Sequence, residues 1–294
     1  MKNLRIVIAT LIFSLLFTGT AFAATKAEIS NNAARYLIEK TNEAMAGVTS
    51  FKAEGVVDLL VNVYTDGEKE TVDAEFVFEG LFDLPEKAYV KYDIDMGDGY
   101  PVVAEVLISE AGISMRMPGI YDGWETVDDA ETMALVAMAL SGDTEASEEM
   151  LKELGLDIAA FEDKLYSNAR YTRNVQFLGE TYYAVDMSFE LKEVMAEMMG
   201  YMEGIYIAQE EYMYEGYAEE AMFMMNMLSE KIEGTLEMTM LIEKDTYYTA
   251  YTGVYMELAM DMEELLGAEM DMIMDIFLAY SDFGSTNLPF PTMN

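Results

Sequence analysis

The stretch MELAMDMEELLGAEMDMIMDIF, residues 256–277, carries six methionines and decides how the chain is read. From Val254 to Glu263 the even positions are Val254, Met256, Leu258, Met260 and Met262. The odd ones are Tyr255, Glu257, Ala259, Asp261 and Glu263. From Met270 to Tyr280 the even positions are Met270, Met272, Met274, Ile276, Leu278 and Tyr280, with Asp271 and Asp275 among the odd ones. Strict alternation marks a half-buried strand, because successive side chains on a strand point to opposite faces. A helix would set Met256 and Met260 on one side and swing Met262 away from them. The stretch therefore reads as a β-hairpin turning near Leu265, Leu266 and Gly267, with one methionine-rich face.

Outward from that hairpin, the chain carries 55 acidic and 17 basic residues, a net charge of −38. A polyanion would be repelled, which argues against nucleic acid and anionic membrane surfaces as partners. Yet 52% of the residues are hydrophobic and mean hydropathy is +0.08. A disordered acidic chain would be poor in apolar side chains. Here acidic and apolar residues alternate in register, as in a folded chain.

The N-terminus reads as a secretory signal peptide over residues 1–23. Lys2 and Arg5 precede an apolar run from Ile6 to Phe17, and Ala21-Phe22-Ala23 has the small-x-small pattern of a cleavage site. The run is too short to span a bilayer, so no stable membrane insertion is expected after cleavage. The expected location is exported, periplasmic or extracellular. With no cysteine in the chain, a lipidated cysteine at the cleavage site and stabilising disulfides are both excluded.

The rest, 24–294, reads as a single domain. Residues 25–47 suit a helix with a stripe of Ile29, Ala33, Tyr36, Leu37 and Ala44, and with Gly47 placed to end it. Strand-like segments follow at 51–64, 72–82, 88–96, 102–108 and 113–117, separated by Gly and Pro breakers. Helical spacing takes over at about 126–167. Strands return at 171–178 and 181–189, then a second helical insertion covers about 190–232. Segments 235–243, 246–262 and 269–283 close the chain, with Lys244-Asp245 turning the first pair. About ten sequential strands with short loops make antiparallel meanders, an α+β chain.

Several of these segments resemble a known group. The helix running into EAMAGVTSFKAEGVVDLLV, the segment EVLISEAGISMRMPGIYDGWETV, the IEKDTYYTAY turn and the closing MDIFLAYSDFGSTNLPFP are similar to uncharacterised secreted or lipid-anchored bacterial proteins. That group shares its fold with LolA, LolB and the mycobacterial LppX/LprG lipoproteins. The resemblance covers roughly 28–125 and 170–291. This chain departs from the lipid-anchored members in lacking the anchoring cysteine, and its 190–232 insertion is long. The resemblance implies a curved, incompletely closed antiparallel β half-barrel with helices plugging or covering the concave side, where LolA-like carriers hold acyl chains.

Enzyme machinery is scarce. The chain has no histidine and no cysteine, which removes Ser-His, Cys-His and most zinc arrangements. Asp93-Ile94-Asp95-Met96-Gly97-Asp98-Gly99 resembles a calcium loop, but its glycine falls one place late and the twelfth position would be Ala104 instead of Glu. A solvated acidic turn is the better reading. Thioethers are soft ligands suited to Cu(I), but the methionines here share the apolar register of strands with Leu236, Leu258, Ile276 and Leu278, which makes them lining. No metal and no cofactor is expected.

The expected partner is an apolar small molecule or lipid, bound without catalysis; a cell-envelope structural protein with a filled core is the alternative. The candidate lining is Val57, Leu59, Val61, Phe76, Phe78, Val90, Ile94, Met238, Met240, Met256, Leu258, Met260, Met270, Met272, Met274 and Ile276. Methionine fills irregular space in cores and suits promiscuous apolar surfaces alike. Periodicity does not separate the two. The 195–228 segment, rich in methionine and tyrosine on a helical template, is expected to pack on the sheet, either as cover for a cavity mouth or as part of the core. Oligomeric state is not legible.

Overall fold

The computed structural model describes residues 33–65, 67–84, 86–97, 101–119, 121–127, 168–193, 231–262 and 267–291. Helix α1 (Ala33–Met45) precedes β1 (Ser50–Thr65), β2 (Glu68–Asp83), β3 (Lys87–Asp95), β4 (Val102–Ser109), β5 (Gly112–Met117) and β6 (Tyr121–Val127). Then come β7 (Arg170–Phe177), β8 (Glu180–Glu190), β9 (Ile232–Glu243), β10 (Thr249–Met262) and β11 (Ala268–Ser281). All eleven lie in one antiparallel sheet of order β6-β5-β4-β3-β2-β1-β11-β10-β9-β8-β7. Each half is a meander of sequence neighbours. The halves meet where β1 pairs with β11, from Lys52 opposite Ser281 to Thr65 opposite Ala268. The sheet is curved and not closed, an α+β half-barrel as expected.

The opening stretch forms its hairpin. Met262 faces Ala268 across β10 and β11, and Gly267, just before β11, has a left-handed φ of 66° that glycine adopts without a steric cost. Among the described residues the strand count exceeds the expected ten by β6, where the sequence pattern already turned helical at 126. YDGWETV lacks a continuous apolar alternation, so local period does not reveal it. Pairing with β5 does, together with a 2.9 Å bond between the Ser114 and Thr126 hydroxyls. Residues 126–127 thus belong to β6, Glu190 to β8 and Ile232 to β9; most of both helical insertions, like the signal segment, lies outside the described residues.

Helix α1 also corrects the expected stripe. Its buried residues are Ala34, Leu37, Ile38, Thr41, Asn42 and Met45, whereas Tyr36 is 45% exposed. The apolar face is rotated because Leu37 and Ile38 seat between Val185, Met187, Phe189, Met240 and Ile242 on β8 and β9. Gly47 follows the helix end without a left-handed φ. A second core closes the other half: Phe51 stacks on Phe82 (4.6 Å between centroids, 13° apart), amid Val90, Val106, Ile108, Ile113, Met115, Leu278 and Tyr280.

The sheet's other face is acidic. Register lines up Asp95, Glu75, Asp58 and Asp275 across β3, β2, β1 and β11, so Asp58 stands directly opposite two carboxylates. The nearby cations are committed elsewhere. Lys52 lies 3.0 Å from both Glu54 and Glu79, and Lys91 lies 2.6 Å from Asp93. Facing like charges destabilise a sheet, and salt screens them. Thermal midpoints should therefore rise as NaCl goes from about 20 to about 300 mM. Asp58→Asn should stabilise by about 0.5 kcal/mol at low salt and by less at high salt. A salt-independent midpoint would contradict this.

Candidate ligand-binding face

Strand pairing carries the candidate residues onto the one face that α1 also covers. One row runs Met187, Met238, Val254, Ile276, Val57, Phe76, Ile94 and Val102, each opposite the next, from β8 to β4. The next is Phe189, Leu236, Met256, Met274, Leu59 and Ala74. A third is Gly234, Leu258, Met272, Val61 and Val72. Beyond it Met260 faces Ile232 and Met270. On the near side, Met240 faces Thr252 and Val185, Phe78 faces Gly55 and Tyr92, and Val90 faces Gly80. All sixteen candidates share this face.

Burial then divides them. Val90 is packed in the Phe82 core and Met240 in the α1 core. Leu258 is buried at the centre of a third cluster with Leu191 and Ile232, against which Met256, Met260, Met270 and Met272 pack. The remaining candidates, Val57, Leu59, Val61, Phe76, Phe78, Ile94, Met238, Met274 and Ile276, are half-buried like those four methionines. The result is a half-buried apolar strip between closed cores. Val254, Met262, Leu236 and Tyr92 share this face too; their place in the same alternating register was the signal that would have included them.

The three rows hold no ionisable side chain; beyond them Glu70, opposite Val63, puts a carboxylate on this face. Gly55 shapes the floor. A Cβ there would lie 2.4 Å from the Phe78 ring and 2.8 Å from Leu278, so both side chains lean into the space glycine leaves. Tyr92, Tyr280 and Thr252 bring hydroxyls to the near edge. Burial raises the Tyr92 phenol above the ordinary tyrosine range, and it pushes Tyr280 up to about 12, opposed by a hydrogen bond with Thr252. Such a surface can bury hydrocarbon.

The acidic segment at Asp93 is otherwise engaged. Asp93 pairs with Lys91, and the Asp95 carboxylate accepts the Gly97 N–H at 2.8 Å, an ordinary strand-end turn; Asp98 lies outside the described residues. A shallow groove of about 580 Å³ lies on the opposite face of the sheet, lined by Thr172, Val175, Ala184, Asp186, Thr239 and Leu241. Asp186 there accepts a 2.8 Å bond from Thr239. Sequence reasoning also missed a polar cluster on that face. Glu105, 5% exposed inside the apolar run VVAEVLIS, accepts from Arg116 Nη2 (2.9 and 2.7 Å) and from the Tyr89 hydroxyl (2.9 Å).

No family model and no curated protein sequence matches the chain. Among solved structures it is similar to LprF from Mycobacterium bovis, at 14% identity over 88% of this chain and 96% of that one, with a TM-score of 0.38. LppX from Mycobacterium tuberculosis aligns at 12% identity over 90% and 100%, TM-score 0.36. A LolA superfamily protein from Nitrosomonas europaea aligns at 11% identity over 87% and 94%, TM-score 0.20. Superpositions this loose lend the chain no ligand and no activity.

Proposed function

We propose that this is an exported, non-enzymatic binding protein that holds a lipid or similar apolar molecule against the inner face of its half-barrel. One observation carries the reading: three contiguous rows of charge-free side chains, most of them half-buried, between closed cores. Acyl chains laid along them would gain about 0.8 kcal/mol per buried CH₂, with few polar contacts to restrict which lipid is taken. Export rests on the N-terminal segment with its Ala21-Phe22-Ala23 site. No described helix is long and apolar enough to cross a membrane.

The test is space. Met260→Trp and Met272→Trp should each weaken uptake of a fluorescent fatty acid about tenfold, equivalent to 1.4 kcal/mol, while stability changes by less than about 1 kcal/mol. Asp271→Asn, on the other face, should leave uptake unchanged. In a filled core the same tryptophans would cost about 1–3 kcal/mol by overpacking, and the unaltered protein would take up no probe. Mass spectrometry of organic extracts from the purified protein should then identify the natural occupant.

A further inference from the structure

The chain has 27 methionines, one tryptophan and no cysteine, so thioethers are its main stock of readily oxidised side chains. Among the described residues, most fall into two classes. Met45, Met115, Met187 and Met240 are sealed in cores, at 3%, 6%, 5% and 6% exposure. Met238, Met256, Met260, Met262, Met270, Met272 and Met274 are only half-buried, and all lie on the inner face of β9, β10 and β11. They are mutual neighbours: Met256 stands opposite Met274, and Met260 opposite Met270, with Leu258 and Met272 facing each other in the row between. A small oxidant can reach this field while the core thioethers stay shielded.

We infer that this field is a reversible oxidation site whose state controls occupancy of the apolar strip; the inference rests on the binding role proposed above. Hypochlorous acid is the oxidant class with the simplest balance. A thioether sulfur donates an electron pair to the oxidant's oxygen, the S–O bond forms, the O–Cl bond breaks, and chloride and a proton leave. A hydroperoxide does the same with cleavage of its O–O bond. The product sulfoxide is polar and a strong hydrogen-bond acceptor. Its neighbours across the strands are Ile232, Leu236, Leu59 and Val61, none of which donates a side-chain hydrogen bond. Each new oxygen therefore needs water, and the opposed pairs bring two S=O dipoles together. A face that must stay dry to hold hydrocarbon becomes hydrated, so the ligand leaves. A dithiol reductant returns two electrons and two protons, the oxygen leaves as water, the dithiol closes to a disulfide, and the thioether and the site are restored.

The experiment treats the purified protein with graded hypochlorous acid and maps sulfoxides by peptide mass spectrometry. Binding of a fluorescent fatty acid is measured before treatment, after it, and after reduction by methionine sulfoxide reductases. Sulfoxide is expected first at the β10 and β11 methionines and at the 46% exposed Met96, and last at Met45, Met115, Met187 and Met240. Probe affinity should fall about tenfold or more, a loss of 1.4 kcal/mol, and return on reduction. Met96→Leu should behave like the unaltered protein. A variant with Met256, Met260, Met270, Met272 and Met274 all changed to Leu should keep its affinity through oxidation; should it not fold, Met260→Leu with Met270→Leu should at least blunt the loss. Affinity unchanged after full oxidation of the field, or equal loss in the leucine variants, overturns the inference and leaves the binding role standing. No probe binding by the reduced protein overturns the binding role itself, and the inference with it.

Discussion

Replacing Arg116 by methionine is expected to lower the unfolding free energy by about 3 kcal/mol. Glu105 is 5% exposed and receives both of its oxygens' bonds to Arg116 from one guanidinium nitrogen, at 2.9 and 2.7 Å. Removing the cation leaves a buried carboxylate with the Tyr89 hydroxyl as its remaining side-chain donor. The loss sits at the lower end of the range for breaking buried pairs because the Arg116 side chain is itself 32% exposed. Arg116 also lies over Trp124, 4.8 Å from the ring centre, so lysine will not substitute without loss. The double change Glu105→Leu with Arg116→Met should cost clearly less than Arg116→Met alone, since no charge is then stranded. Urea midpoints measure all three. Equal destabilisation by the single and double changes would mean that packing, not charge burial, is what Arg116 supplies.

Gly234→Ala should cost a similar amount, about 3 kcal/mol, for a different reason. Gly234 lies in β9 opposite Leu258 with φ of +146°, a backbone state that side-chain-bearing residues rarely adopt. A Cβ there would fall 2.0 Å from the Glu257 carbonyl oxygen and 2.9 Å from Leu191 Cδ1. The oxygen belongs to a hydrogen-bonded strand and cannot swing aside, so β9 must move away from β10. That movement would open the cluster of Leu191, Ile232 and Leu258 beneath the methionine field. Gly253→Ala is the control: ordinary φ, nothing within 4 Å of the added carbon, and a strand interior where alanine is favoured over glycine by about 0.5–1 kcal/mol. Comparable thermal midpoints for the two variants would falsify the close-approach account of Gly234.

Within each strand, the sequence alone determined which side chains share a face. Alternation follows from covalent geometry, since each residue turns its Cβ to the opposite side of the sheet. That is why Met256, Met260, Met270 and Met272 could be grouped before any pairing was known, and why Asp271 and Asp275 went to the other face. The glycine and lysine-aspartate turns were equally local. What depended on distant neighbours was not legible. The stripe on α1 was misplaced because both Leu37 and Tyr36 are apolar enough to face inward, and only the position of β8 and β9 selects between them. β6 was missed because its order comes from β5, and Glu105 was unremarkable until Tyr89 and Arg116, 16 residues before it and 11 after, closed around it. Above all, the tertiary structure decided that β1 pairs with β11. That single long pairing joins residues more than 200 apart and makes one face out of two meanders. It also decided that Val90 and Met240 are sealed while Val57, Met274 and Ile276 between them are half open. Period belongs to a segment, but burial belongs to whatever the rest of the chain brings against it.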